Sequence, residues 1–180
     1  MFASQSFEGD TTPDDLEPEL LYNSDALLCA GIVVFDIFVA NCDRYKGNIK
    51  VDNPATPSVI RLIDHERALF YKDAKEGIKR LKSRADRLGI ADGMDSAFEW
   101  HCFVELIDSA ENLSHWVRRV EDIPDWFLHS VCEEVKRLAI TETEFQEVVA
   151  FLKARRDKLG QLILDNRTRF PKVKQWPLIL

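Results

Sequence analysis

Asn41-Cys42-Asp43-Arg44-Tyr45-Lys46-Gly47-Asn48 closes an apolar segment, and Arg61-Leu62-Ile63-Asp64-His65-Glu66 follows after a short polar interval. Between them, Ile49-Lys50-Val51-Asp52 alternates apolar and polar residues like a strand, Asn53-Pro54-Ala55-Thr56-Pro57 carries turn residues, and Val59-Ile60-Arg61-Leu62-Ile63 reads as a second short strand. The pattern predicts a hairpin with Asn48 at its start and Asp64 just past its end. That topology brings both residues to the same end of the hairpin, next to Asp43. Gly47 supplies backbone freedom in the loop ahead of it. An Asp that orients a hydroxyl and takes its proton, with an Asn and a second Asp holding Mg²⁺ on the phosphates of ATP, is a set that phosphoryl transfer uses. Mg²⁺ prefers hard oxygen ligands and usually takes only one or two from protein, so Asn48 and Asp64 suffice chemically. The competing reading of Asp43, Asn48 and Asp64 is that turns favour Asp and Asn for backbone hydrogen bonds.

Upstream, Ser24-Asp25 is an N-cap signal for the apolar run from Ala26 to Ala40, which predicts a helix buried on most faces. The run is too short for a membrane span, which needs about 20 apolar residues, and it contains Asp36. Asp36 is expected to be a buried carboxylate paired with a nearby Arg, or a residue that orients the turn at Asp43. Arg44 is correspondingly expected to bridge to Asp36 or Asp64. Tyr45 and Lys46 stand where a substrate would pass, although exposed loops often carry such residues without a role. His65, His101, His115 and His129 show no ligand spacing and read as packing or surface residues.

The net charge of −7 over 180 residues is unevenly spread, with nine acids and no Lys or Arg from Met1 to Asp43. An acidic first quarter disfavours nucleic acid, whose binding is driven by cationic contacts to phosphates. Residues 1–18, polar and broken by Pro13 and Pro18, read as a flexible acidic arm. The first residues lack a basic stretch followed by an apolar run, so no secretory signal is expected. Cys29, Cys42, Cys102 and Cys132 stand far apart with no CxxC pair, which fits a reducing, cytoplasmic setting better than a zinc site or a disulfide framework.

Downstream the chain reads helical, so the expected fold is mainly α with one small β-hairpin. Ala74 to Leu88 is basic and amphipathic, and solvation is the ordinary meaning of such a face. Met94 to Ala110, with Phe98, Trp100, Phe103, Val104, Leu106 and Ile107, predicts a core helix. Pro124 opens another, continuing through Val131, Val135 and Leu138. Thr141-Glu142-Thr143-Glu144 matches a capping box. Behind it Phe145, Val148, Val149, Leu152, Leu159, Leu162 and Ile163 form one stripe, with Arg155-Arg156-Asp157-Lys158 expected on the other side. Residues 166–180 make a basic tail with scattered apolar residues, able to pack back or to dock on a partner. No internal repeat is visible.

Asn41 to Asn48 followed by Leu62-Ile63-Asp64-His65 resembles the catalytic and metal-binding motifs of bacterial HipA-like kinases, and more distantly the DRxxxN and IDFG motifs of phosphatidylinositol kinases. Ile123-Pro124-Asp125-Trp126 and the stretch Phe151 to Leu159 are similar to the C-terminal portion of the same domain, so the resemblance covers roughly 26–164. It implies the C-terminal lobe of a protein-kinase-like α+β fold over residues 19–165, ATP and Mg²⁺ as cofactors, and a Ser or Thr hydroxyl of a protein as acceptor. Asp43 matches the catalytic Asp, Asn48 the first metal ligand and Asp64 the second. His65 stands where many kinases have Phe, as HipA-like variants also show. The chain departs from the pattern upstream, because the 42 residues before Asp43 contain no Lys to anchor phosphates. The expectations are therefore a kinase whose N-lobe comes from another polypeptide or from a longer gene, or alternatively a non-catalytic pseudokinase half that binds another protein. A lipid or small-molecule kinase is a third reading.

Overall fold

The computed structural model describes residues 16–70, 74–90, 101–136 and 140–180. The described residues form six helices and a two-stranded antiparallel hairpin: α1 (Pro18–Ser24), α2 (Ala26–Phe38), β1 (Ile49–Val51), β2 (Ile60–Leu62), α3 (Ala74–Arg84), α4 (Ala110–Glu121), α5 (Asp125–Lys136) and α6 (Glu142–Asp165). The mainly helical expectation with one hairpin is met. α2 is the centre: it packs against α1, α4 and α6, while α3 and α5 pack on the flanks of α6.

Asp25 caps α2 by accepting from the Leu28 N–H at 2.8 Å. A 13-residue helix is marginal in water on its own. Burial holds it, because Cys29, Ala30, Ile32, Val33, Val34 and Ile37 are all at most 4% exposed, and fully burying one such aliphatic side chain is worth about 1.5–3 kcal/mol. Gly31 lets α4 come close: a Cβ there would stand 2.5 Å from the Trp116 indole, whose Nε1 donates to Leu27 O at 2.7 Å.

The end of α2 is a Schellman turn. The Ala40 N–H reaches Ile37 O and the Asn41 N–H reaches Asp36 O, with Ala40 in the left-handed region at φ 51°. α2 has no basic residue in its own last turn, and arginines from α3 and α6 supply the positive charge that a helix C-terminus favours. Arg155 Nε donates to Ile37 O at 3.0 Å, and Arg84 Nη1 donates to Ala40 O at 3.2 Å. Arg155 also donates to the carbonyls of Arg84, the last residue of α3, and of Ala85, Arg87 and Leu88 just beyond it. Gly89, at φ 82°, completes this crossing, and a Cβ there would meet Arg155 Nη2 at 2.6 Å.

Several expectations need correction. Arg155 is not on the outer side of α6 but fully buried, because its fork satisfies carbonyls that water cannot reach. The basic face of α3 is only partly solvated: Arg84 is buried and Arg80 Nη2 donates to Arg67 O at 3.0 Å. α3 stops at Arg84 rather than Leu88. Leu16 is buried and α1 begins at Pro18, so the proposed arm loses its last three residues to the fold; residues 1–15 lie outside the described residues. Of the helix expected over 94–110, Phe98 and Trp100 also lie outside the described residues. Residues 101–109 are turns and extended backbone that bury Phe103, Val104 and Ile107. The helix in this region is α4, capped by Ser109 Oγ accepting from Asn112 N at 3.3 Å. α5 buries Leu128 and Cys132 and leaves Val131 49% exposed, while Leu138 falls outside the described residues. The tail packs back through Phe170, Val173 and Leu180.

The capping box is formed: Thr141 Oγ1 accepts from Glu144 N while Glu144 Oε2 accepts from Thr141 N. The stripe from Phe145 to Ile163 is buried as expected. No single described helix is long and apolar enough to cross a membrane; α1 and α2 reach that length only together, across a bend of 116°.

Arg155→Leu removes the guanidinium donors from the buried carbonyls of Ile37, Arg84 and Leu88 and should lose more than about 3 kcal/mol of stability. Lys153→Ala, which removes only a surface pair with Asp125, should lose less than about 1 kcal/mol. Urea midpoints of the two variants measure the difference.

Candidate functional site at the open end of the hairpin

Arg44 is fully buried and all five of its N–H donors have acceptors. Nε and Nη2 grip the Asp36 carboxylate at 2.8 and 3.1 Å, a two-pronged contact. Nη1 donates to the main-chain oxygens of Asn48 at 2.8 Å and Ile63 at 3.0 Å, and Nη2 also reaches His65 Nε2 at 3.0 Å. The residue after Asp43 thus ties down Asn48 itself and both neighbours of Asp64. The paired expectation for Asp36 and Arg44 is met through Asp36, and Arg44 reaches the neighbours of Asp64 instead of its carboxylate.

Asp36 is as fully engaged as Arg44. Besides Arg44, its oxygens accept from Asn41 Nδ2 at 2.8 Å and from His101 Nε2 at 3.2 Å. Burial alone would push the carboxyl up, but the hydrogen bonds from His101 and Arg44 outweigh it and hold the group at about 2. His101 Nδ1 accepts from the Phe103 N–H at 3.3 Å, which leaves Nε2 facing Asp36. His101 is therefore a buried member of the supporting network, which its sequence context did not reveal. No spacing to other polar residues marks it; only the fold brings it within reach of α2.

The expected hairpin forms, with Ile49 opposite Leu62, Lys50 opposite Arg61 and Val51 opposite Ile60. Its far turn is organised by Asp52 Oδ1, which accepts from the N–H groups of Ser58 and Val59. At the near end, Ile63 N donates to Asn48 O at 3.1 Å. Residues 46–48 form a 3₁₀ turn with the Tyr45 ring lying where a Gly47 Cβ would stand, which explains the glycine.

Asp43, Asn48 and Asp64 are gathered at this end. Asn48 is buried, and its Nδ2 donates to the Asp43 main-chain oxygen at 2.7 Å. That bond orients the amide, and among the described residues its Oδ1 takes no hydrogen bond. Asp64 is exposed, sits in the left-handed region at φ 51° and accepts only weakly, from Glu66 N at 3.4 Å. The Asp43 carboxylate is half-buried and pairs with Arg67 Nε at 3.3 Å. Burial raises its pKa, Arg67 opposes that, and the nearby charges of Asp64 and Glu66 raise it further. The carboxylate of Asp43 is thus more basic than an ordinary Asp, the direction suited to a proton acceptor.

Arg67 escaped the sequence reading, although a cation three residues beyond Asp64 is the signal that points to it. Among the described residues no three His, Cys, Asp or Glu side chains form a metal-binding group; the oxygen donors here are two carboxylates and one amide. Tyr45 is half-exposed. A groove of about 1080 Å³ lies elsewhere, between α4 and the tail, while a smaller, mainly apolar hollow of about 390 Å³ borders the site along Phe35, Val39, His65 and Leu69. No family model matches this chain, and no curated protein and no solved structure matches it.

Asp36→Ala leaves the Arg44 guanidinium buried without its counter-ion and should lose about 3–5 kcal/mol, read from urea unfolding. His65 gives a pH signature. Burial, reinforced by the Arg44 guanidinium, lowers its pKa below the usual 6.5, so the unfolded chain binds a proton that the folded chain refuses. This contribution is fully present above about pH 6.5 and is lost as pH falls through the depressed folded value. His65→Gln, which keeps an acceptor for Arg44 but does not titrate, should flatten the fall in urea midpoint between about pH 8 and pH 5.

Proposed function

We propose that this chain carries the phosphotransfer site of a HipA-like kinase, a Mg²⁺- and ATP-dependent enzyme acting on a Ser or Thr hydroxyl of a protein. The observation that supports this reading most is the clamp on Arg44. One buried side chain holds Asn48 and both neighbours of Asp64 while following Asp43 directly, which is more organisation than three turn residues need.

The donor set fits the cation. Asn48 Oδ1 and the exposed Asp64 carboxylate are hard oxygens, and two protein ligands are enough for Mg²⁺. Bound with ATP, Mg²⁺ would neutralise charge on the transferring phosphoryl group. Asn48 keeps its side chain aligned by donating to Asp43 O, so the residue proposed to face the metal also fixes the main chain that presents the base. Asp43, with its raised pKa, orients the acceptor hydroxyl and takes its proton. Phosphates also need a cationic anchor, which this reading assigns to a separate lobe or polypeptide.

One observation favours the second reading, a non-catalytic pseudokinase half. Arg67 occupies the carboxylate of Asp43 at 3.3 Å, where an acceptor hydroxyl would have to approach.

Calorimetric titration with ATP, with and without Mg²⁺, separates these readings. Saturable binding that requires Mg²⁺ and disappears in Asp64→Ala is expected, together with phosphorylation of protein substrate that falls roughly a hundredfold or more in Asp43→Ala. Phosphorylation that persists in Asp43→Ala would sink the assignment. Binding without any phosphorylation, unchanged in Arg67→Ala, favours the non-catalytic half.

A further inference from the structure

The outer face of α5 carries three large apolar side chains among its polar ones. Trp126 is 70% exposed, Phe127 44% and Val131 49%, and the two aromatic rings pack edge to face at 5.9 Å. Isolated exposed apolar residues are ordinary, but adjacent aromatics are enriched in the cores of protein interfaces. A second exposed apolar pair stands on the tail, Leu178 at 98% and Ile179 at 81%.

These two features lie near the same stretch of α6. Leu180 is buried, and its Cβ and the Glu121 carboxylate would each stand 3.4 Å from a Cβ on Gly160. Arg156, one turn earlier, donates to Ile123 O at 2.7 Å and pairs with Asp125, the first residue of α5. The charges around the two features are opposite. α5 presents Glu133 and Glu134 beside its aromatic face, and the tail presents exposed Lys172 and Lys174.

We propose that this face is an interface between two copies of the chain related by a two-fold axis. The aromatic face of α5 in one copy receives Leu178 and Ile179 of the second, and the same exchange occurs in reverse. Glu133 and Glu134 then lie opposite the lysines of the other tail. Both halves of the complementary pair are on this chain, which is the argument for a second copy over a different protein: residue i meets residue j while j meets i, so the contact closes on itself as a dimer. The aromatic side chains would be the central anchors and the charges the rim that sets register. This interface is independent of the phosphotransfer reading.

Sedimentation equilibrium of the full chain, over a dilution series from millimolar to micromolar, tests the proposal. A dimer is expected, and Trp126→Ser and Leu178→Ser should each weaken it tenfold or more. Both side chains are mostly exposed, so circular dichroism should report an unchanged fold. The double exchange Glu133→Lys with Glu134→Lys should weaken the dimer, and adding Lys172→Glu with Lys174→Glu should restore it. A monomer at every concentration overturns the proposal, as does a dimer indifferent to Trp126→Ser or a charge exchange that the reciprocal exchange fails to rescue.

Discussion

The contact between Asp36 and Arg44 is the constraint on which the rest depends. Two opposite charges taken out of water cost several kcal/mol each unless geometry and extra hydrogen bonds compensate. Here compensation is complete, since the carboxylate accepts from Arg44, Asn41 and His101 and the guanidinium spends its remaining donors on Asn48, Ile63 and His65. A buried pair of this kind is weak evidence for stability but good evidence for specification. A greasy replacement could fill the volume, yet it could not fix the main chain on both sides of the hairpin. The pair therefore serves to define where three polar side chains stand.

That arrangement sets up an electrostatic balance at the surface. Asp43, Asp64 and Glu66 crowd negative charge at one end of the hairpin, and Arg67 offsets it at Asp43. The Asp43 carboxylate leans on the Arg67 guanidinium, while Asp64 stays exposed.

What was legible in the sequence follows from range. The hairpin, the Asp25 cap, the Thr141 capping box and the α6 stripe were readable because each is written in residues a few positions apart. Asp36 was readable as a buried, paired group because a charge inside an apolar run has few other fates. Arg155 and His101 were not, because their partners are main-chain carbonyls and a carboxylate distant in sequence, and nothing local distinguishes a buried Arg from a solvated one. α4 was missed because its cap at Ser109 follows Phe103, Val104 and Ile107, which looked like a helix core and are in fact packed in turns and irregular backbone. The gathering of Asp43, Asn48 and Asp64 at one end of the hairpin was legible from the strand and turn pattern, while the counter-charge on Asp43 was not.

The arginines that close the C-terminus of α2 have a consequence for how the molecule assembles. Ile37 and Arg155 are separated by 118 positions, so the end of α2, and with it the loop that carries Asp43, cannot be completed by its own neighbourhood. Contacts of such long range are formed late, after their loop-closure entropy has been met. During synthesis the chain emerges N-terminus first, so the hairpin can pair long before α6 exists to lock it. The hydrogen bonding at the C-terminus of α2 is therefore complete only once α6 has been made.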